Sequence, residues 1–499
     1  MSSYARKALH GAAIVFTLSM FSALTAYFFR FLLARKLSVE DYGLFFALFA
    51  FINLLGLFKD LGLGFAILKF IPELRVAKKW DRIKSLIASS FIIQLVSSAA
   101  ISIVLVILAP KIMQGFFHSP DTRLFLLFAA IFFVSFAQNV VSICFQGFQK
   151  MLLFSLHDFA RNLVALLTAV ALLALGFGIF APAWAYFAMY IIVFVASFAI
   201  FTTKVFRQFW KARTVLASQD FSQLLLFGLP AMLTIFGNNV LQYTDTLMLT
   251  YFKDLTSAGL YQVAVPLASV VLFLVYAVSA VATPLISELV ALKKRKELRN
   301  GIELLHKHLF IAVVPMAVAL IAFPEIFIRL FFGEKFITAA PALQILGVGI
   351  VFYTIAYANL STLFGLGRPE YTTMVMLVTA VANIALNWLM IPPYGMVGAA
   401  SATGLSYLLM LVISARGIRR VVKIREPWIV WAKTLVAALL LVAVLAAVKG
   451  ILALNPWLEL ALGILAGTAV YLLFLFVLRI ITLHEIRWMA AQAGLRRTK

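Results

Sequence analysis

The long apolar runs of this chain hold only a few ionisable side chains, and their types and spacing limit the chemistry open to it. Arg30 stands alone in the first run. Thr234, Asn238, Gln242 and Asp245 follow one another at steps of four, four and three, which places them on one face of a helix. His157, Asp158, Arg161 and Asn162 likewise share a face, and Asp158 and Arg161 are spaced to pair. Lys59 and Asp60 lie beside Gly62 and Gly64, a pattern for a helix break or a close approach. Uncharged polar stripes run along two further helices. One carries Ser135, Gln138, Asn139, Ser142 and Gln146, the other Asn383 and Asn387. They suit a wet, sugar-compatible lining, and interhelical hydrogen bonding explains them nearly as well. Guanidinium groups bind anions bidentately, and ionisable groups within a span face a cavity or a partner helix.

Enzyme signatures are missing. There is no Walker loop and no HExxH, and His306 and His308 are two apart, the wrong spacing for two ligands on one helical face. Cys144 is the sole cysteine, so an intrachain disulfide or a thiolate metal cluster is excluded. The expectation is a non-enzyme with no metal site and no cofactor beyond a possible coupling cation.

The elements that must position these residues are membrane helices. The chain has 499 residues, of which 64% are hydrophobic and 12% charged, about half the charged share of a soluble protein. A span needs about 20 apolar residues. Such runs lie near 9–35, 43–70, 84–108, 123–146, 152–175, 181–203, 221–251, 260–289, 306–331, 340–364, 371–391, 397–416, 428–448 and 457–479. An all-α membrane protein of about 14 transmembrane helices follows. The first run is too long for a signal-peptide core and lacks a clear cleavage site, so it reads as a retained helix.

The net charge of +23 sits in short loops. That placement points to membrane topology and anionic lipid rather than nucleic acid. With the N-terminus in the cytoplasm, most of the 42 Lys and Arg fall inside, including Arg75 to Lys84, Lys204 to Arg213, Lys293 to Arg299, Arg416 to Arg425, and the tail with Arg479, Arg487, Arg496 and Arg497. Both termini are then cytoplasmic in a multi-pass protein of the plasma or inner membrane. All eight tryptophans, Trp457 and Trp488 among them, fall near expected helix ends.

An internal repeat divides the chain. Asp41-Tyr42-Gly43-Leu44-Phe45 after helix 1 matches Ser257-Ala258-Gly259-Leu260-Tyr261 after helix 7. At nearly the same separation, Gly147-Phe148-Gln149-Lys150 matches Gly367-Arg368-Pro369-Glu370. Six helices per half make the repeat parallel, with a substrate site expected between the halves. The expected organisation is two pseudo-symmetric six-helix lobes, 1–215 and 216–420, then two C-terminal helices and a basic cytoplasmic tail in 421–499. The repeat relation puts Asp245 at nearly the depth of Arg30. Either the two face each other at a cavity or outer gate, or each reaches independently to the outer interface. The His157–Asn162 cluster is either an anionic-headgroup site or a structural ion pair. Pro230, Pro266, Pro284, Pro315 and Pro324 fall inside second-half helices and suit bends.

Ala34-Arg35-Lys36-Leu37-Ser38-Val39-Glu40-Asp41-Tyr42-Gly43-Leu44-Phe45, followed by Lys59-Asp60-Leu61-Gly62-Leu63-Gly64, resembles the start of the polysaccharide or oligosaccharide (Wzx-type) flippases. These belong to the multidrug/oligosaccharidyl-lipid/polysaccharide exporter superfamily. Asp245 with Gly259-Leu260-Tyr261 resembles that family's second-half counterpart. The arginine-rich helix 1–2 signature of the peptidoglycan-precursor flippases is not seen.

The resemblance implies a monomeric flippase working by alternating access in polysaccharide biosynthesis. Its cargo would be a lipid-linked oligosaccharide of the polyprenyl diphosphate type, moved from the cytoplasmic to the outer leaflet. The alternative is a cation-coupled multidrug antiporter of the same superfamily. Candidate substrate-binding residues are Arg30, Lys59, Arg161, Asn162, Asn238, Gln242 and Asn383. Candidate gating or ion-coupling residues are Asp60, Asp158 and Asp245. Arg30 and Arg161 lead among the cations because arginine binds phosphate bidentately.

Overall fold

The computed structural model describes residues 3–451 and 456–480, with the side chains of 3–14, 234, 235, 447–451, 456–461 and 464 excepted. Thr234, Trp457 and Trp488 as side chains, and Arg487, Arg496 and Arg497, therefore lie outside the described residues. The described residues are mostly helical, with no strand among them. In chain order the helices are α1 (Ser3–Lys36), α2 (Val39–Asp60), α3 (Leu63–Val76), α4 (Trp80–Gly115), α5 (Arg123–Gly147), α6 (Met151–Ala174), α7 (Phe180–Ile200) and α8 (Ser218–Phe252). They continue with α9 (Leu255–Ser269), α10 (Leu272–Ala291), α11 (Arg295–Ala322), α12 (Pro324–Phe331), α13 (Ala340–Gly365), α14 (Pro369–Val421), α15 (Trp428–Ile451) and α16 (Pro456–Val477).

The count of fourteen spans is not reached among the described residues. Eleven helices are long and apolar enough to cross a membrane, or twelve if α8, bent by 52° between its halves, counts as one span. The difference has physical causes. The α14 segment counts once, yet its 53 residues would make a straight rod of about 80 Å against a hydrocarbon core of about 30 Å. It is broken after Pro392 and Pro393 at Gly395, where φ is +55°. Runs 371–391 and 397–416 fall on either side of that break. The final run is described only in part, as the shorter apolar helix Leu465–Val477.

The chain forms two compact units. The first comprises Met1–Gln262 with Asn387–Met396, and the second Val263–Leu386 with Val397–Lys499.

In the first unit, α1 lies along α6 and α5 packs on α4 and α7. Two helix starts repeat one device. Ser38 Oγ accepts the Asp41 N–H at 3.0 Å to cap α2, and Asp254 Oδ1 accepts the Ser257 N–H at 2.6 Å to cap α9. A glycine stands five residues after each cap, and the two glycines touch. A Cβ on Gly259 would lie 3.2 Å from Gly43 Cα, and a Cβ on Gly43 would strike the Leu255 carbonyl. Only glycine permits backbones this close. The same unit breaks one helix, since Leu61 and Gly62 take φ of +50° and +72° between α2 and α3. Gly62 lies against the backbone of Gly228 in α8.

In the second unit, the two C-terminal helices dock on α11. The Tyr471 hydroxyl donates to the Ile311 carbonyl at 2.7 Å, and Trp431 stacks on Phe310 at 4.8 Å between centroids. Trp431, in the first turn of α15, is thus packed into a core.

Gly43→Ala is expected to lower the apparent Tm in detergent, at a cost of about 1–3 kcal/mol for forced backbone shifts. Gly56→Ala, in the same helix with open space beside it, is expected to leave the Tm unchanged or raise it. Equal effects of the two would contradict the close crossing.

Candidate functional site

The broken α2–α3 helix presents the first group of charges. Lys59, buried, donates to Ser135 Oγ at 2.5 Å, and its ammonium lies 4.9 Å from the Phe132 ring centroid. Asp60 meets the same helix one turn on. Its Oδ1 accepts Gln94 Nε2 at 3.3 Å and Asn139 Nδ2 at 3.2 Å. The backbone N–H groups of Gly62 and Gly64 also donate to its carboxylate. The left-handed break frees those N–H groups at the start of α3, and the carboxylate caps them. Ser135, Gln138 and Asn139 of the α5 stripe serve interhelical bonds here, Gln138 reaching Met189 Sδ at 3.8 Å.

One turn beyond the Gly43–Gly259 crossing lies the second group. Arg30 Nη1 donates to Gln262 Oε1 at 3.1 Å, and its guanidinium lies 4.2 Å from the Phe46 ring centroid. Gln262 in turn donates to Thr246 Oγ1 at 2.7 Å. The neighbouring Asp245 is buried and accepts the Tyr261 hydroxyl and the Asn387 amide, each at 2.6 Å. Arg30 and Asp245 are thus brought together in one unit through a short polar chain.

The third group joins α1 to α6. Asp158 Oδ2 accepts Ser22 Oγ at 2.5 Å, and Ser22 accepts Asn162 Nδ2 at 2.8 Å. Arg161 lies 3.7 Å from Asp158 Oδ1, with both side chains partly open. Its Nε has no hydrogen-bond partner among the described residues. His157 points away and pairs with Ser197 Oγ at 2.7 Å.

Arg30 and Arg161 share surroundings. Tyr186 and Tyr243 lie within electrostatic reach of both Arg30 and Arg161, and Lys59 lies within reach of Arg161. The other sequence candidates separate. Asn238 and Gln242 are exposed on α8, while Asp245 turns into the packed side. Asn383 is in the second unit, fully buried and 3.4 Å from Thr403 Oγ1.

A polysaccharide biosynthesis protein family model matches residues 8–290. The chain belongs to that family. A second model, MatE, matches residues 230–389, and the two together place the chain in the multidrug/oligosaccharidyl-lipid/polysaccharide exporter superfamily. It is 27% identical to an uncharacterized membrane protein of Methanocaldococcus jannaschii over 97% of this chain and 98% of that one. It is 23% identical to a probable low-salt glycan biosynthesis flippase of Haloferax volcanii over 47% of this chain and 50% of the relative. Among solved structures, the lipid II flippase MurJ in an inward closed conformation shares the fold. The TM-score is 0.77 at 18% identity, covering 92% of this chain and 98% of that one. A multi-pass membrane transporter of this superfamily is therefore the frame for the site.

Within this family member, several site residues escape a reading of charges alone. Tyr261 and Gln262 sit at the end of the repeat motif, and their spacing after Gly259 is the signal that finds them. Asn387 belongs to a noted polar stripe, but only the fold brings it to Asp245. In the second unit, buried His306 pairs through Nδ1 with Glu426 Oε2 at 2.9 Å. Helical spacing does not reveal that pair, because Glu426 comes from a distant connection.

Asn387→Ala removes one of the donors on a buried carboxylate and is expected to destabilise the protein by about 1–3 kcal/mol. In a thermal-unfolding double-mutant cycle with Asp245→Asn, the coupling is expected at about 0.5–3 kcal/mol. Additive effects would contradict the pairing.

Proposed function

We propose that this chain is a flippase that moves a lipid-diphosphate-linked oligosaccharide from the cytoplasmic to the outer leaflet by alternating access of the lobes 1–215 and 216–420, with both termini cytoplasmic and the monomer as the working unit. The observation that carries this reading is the placement of Arg30, Lys59 and Arg161 in one unit, with Arg30 and Arg161 beside the same two tyrosines and Lys59 within reach of Arg161. Lys59 is buried beside Asp60 and bonded to Ser135, so Arg30 and Arg161 lead as partners for an anion. Arg161, part-exposed and only loosely paired with Asp158, suits a phosphate oxygen best. Asn162 beside it, and Asn238 and Gln242 on the exposed face of α8, suit the polar remainder of the cargo. Asn383 reads better as a packing residue.

Outward movement is also favourable electrically. A headgroup of charge about −2 leaving a negative interior gains roughly 4.6 kcal/mol at about 100 mV. A coupling cation, Na+ or H+, would be served by Asp245 with Thr246, Tyr261 and Asn387, whose oxygens suit a hard monovalent ion. Asp158 and Asp60 are the further candidates for gating.

The MatE match over residues 230–389, which contains Asp245 and Asn387, favours a second reading as a cation-coupled multidrug antiporter. Cationic cargo would be repelled by Arg30, Lys59 and Arg161. Drug-resistance assays in a sensitive host separate the two.

In proteoliposomes, Arg30→Ala and Arg161→Ala are each expected to slow flipping of a polyprenyl diphosphate oligosaccharide by roughly 10- to 100-fold, the value of a charged hydrogen bond. Arg161→Lys should lose less. Wild-type rates in both alanine variants, with folded protein in the membrane, would sink the site.

A further inference from the structure

Four tyrosines of the second unit converge. Gly349 of α13 and Gly404 of α14 approach so closely that a Cβ on Gly349 would lie 3.0 Å from Gly404 Cα. One turn on, that approach brings Tyr353 against Tyr407, with centroids 4.7 Å apart. Tyr353 stacks on Tyr357 at 5.8 Å and 25°. Tyr276 of α10 meets Tyr357 edge-on at 4.8 Å. The inner ring is anchored and the outer one open: Tyr353 is 7% exposed and Tyr276 40%.

This cluster is not ordinary apolar packing. A hydroxyl inside a membrane helix is costly unless it is bonded. The Tyr276 and Tyr353 hydroxyls are 3.4 Å apart, too long for a strong O–H···O bond. Ser279, one turn beyond Tyr276 on the same face, is buried and its Oγ has no partner among the described residues. The polar stripe continues with Thr283 and Ser287, which are satisfied by the carbonyls of Ser279 and Gly365. Aromatic faces flanked by under-used hydroxyls are suited to a molecule with apolar C–H faces and a hydroxyl rim. The electron-rich ring face attracts polarised C–H edges, and a few convergent polar groups fix orientation. A pyranose ring has that chemistry. A lipid tail offers no hydroxyls, and a diphosphate would find no cation among these rings.

We propose that Tyr276 and Tyr357, backed by Tyr353 and Ser279, form a saccharide-binding platform that recognises the glycan part of the cargo. This rests on the flippase reading and adds to it a second, uncharged subsite separate from the arginines.

The test is binding of two probes to the purified full chain: a polyprenyl diphosphate carrying a disaccharide, and the same polyprenyl diphosphate without sugar. Tyr276→Ala and Tyr357→Ala are expected to weaken binding of the glycosylated probe at least tenfold while the bare probe changes less than twofold. Tyr276→Phe keeps the ring, and with it the folded packing, and should lose only part of the glycan preference. Equal loss for both probes, or no loss in any variant, would overturn the platform while leaving the flippase reading intact. Failure of the wild-type chain to bind either probe would instead overturn the flippase reading. Tetraphenylphosphonium binding that depends on Tyr276, with no sugar effect, would reassign the rings to a lipophilic cation and overturn the proposal.

Discussion

Backbone contact through glycine sets the geometry of the first unit. Gly43 and Gly259 meet without an intervening side chain, and Gly62 and Gly228 do the same at the helix break. Each crossing fixes what stands one turn away. Arg30 reaches Gln262 because α9 is held against α2, and Asp60 caps the start of α3 because the chain turns left-handed at Leu61 and Gly62. A single methyl group at these crossings would displace backbone rather than a flexible side chain, so the error would pass directly to the charged groups.

Low dielectric sets the second condition. A charge within a membrane helix must be paired, bonded or able to reach water. Here the acids and bases are met mostly by neutral donors, acceptors and aromatic faces rather than by tight ion pairs. Asp245 has a tyrosine and an asparagine, Asp60 two amides and two backbone N–H groups, and Lys59 a serine and a phenylalanine ring. Neutral partners hold a charge in place without cancelling it. The Arg161–Asp158 contact at 3.7 Å is looser and more exposed. A loose, partly open pair suits transient binding of an anion better than a closed structural bridge would.

Much of this was legible in the sequence, in proportion to how local its physics is. Apolar length finds the helices, and the glycines beside Lys59 and Asp60 foretell the break. The repeat motif proves to be a packing device: a helix cap, four residues, then a crossing glycine. Non-local facts were not legible. Spacing alone put Asn238, Gln242 and Asp245 on one face, but the edge of that face is buried and the rest is open, because burial depends on which helix lies alongside. Asn383 gave no sign that Thr403 would absorb it. His306 looked idle until the connection carrying Glu426 folded over it. The count of fourteen spans assumed one span per apolar run, whereas bends in α8 and α14 and short pieces such as α9 blur that rule.

The central claim is outward movement of an anionic lipid-linked glycan, and reconstituted flipping measures it most directly. Wild-type protein in proteoliposomes should expose a defined polyprenyl diphosphate oligosaccharide on the opposite leaflet, faster when the potential is negative on the side of departure. Failure of the protein to speed flipping above that of protein-free vesicles, under any imposed potential or cation gradient, would contradict the account.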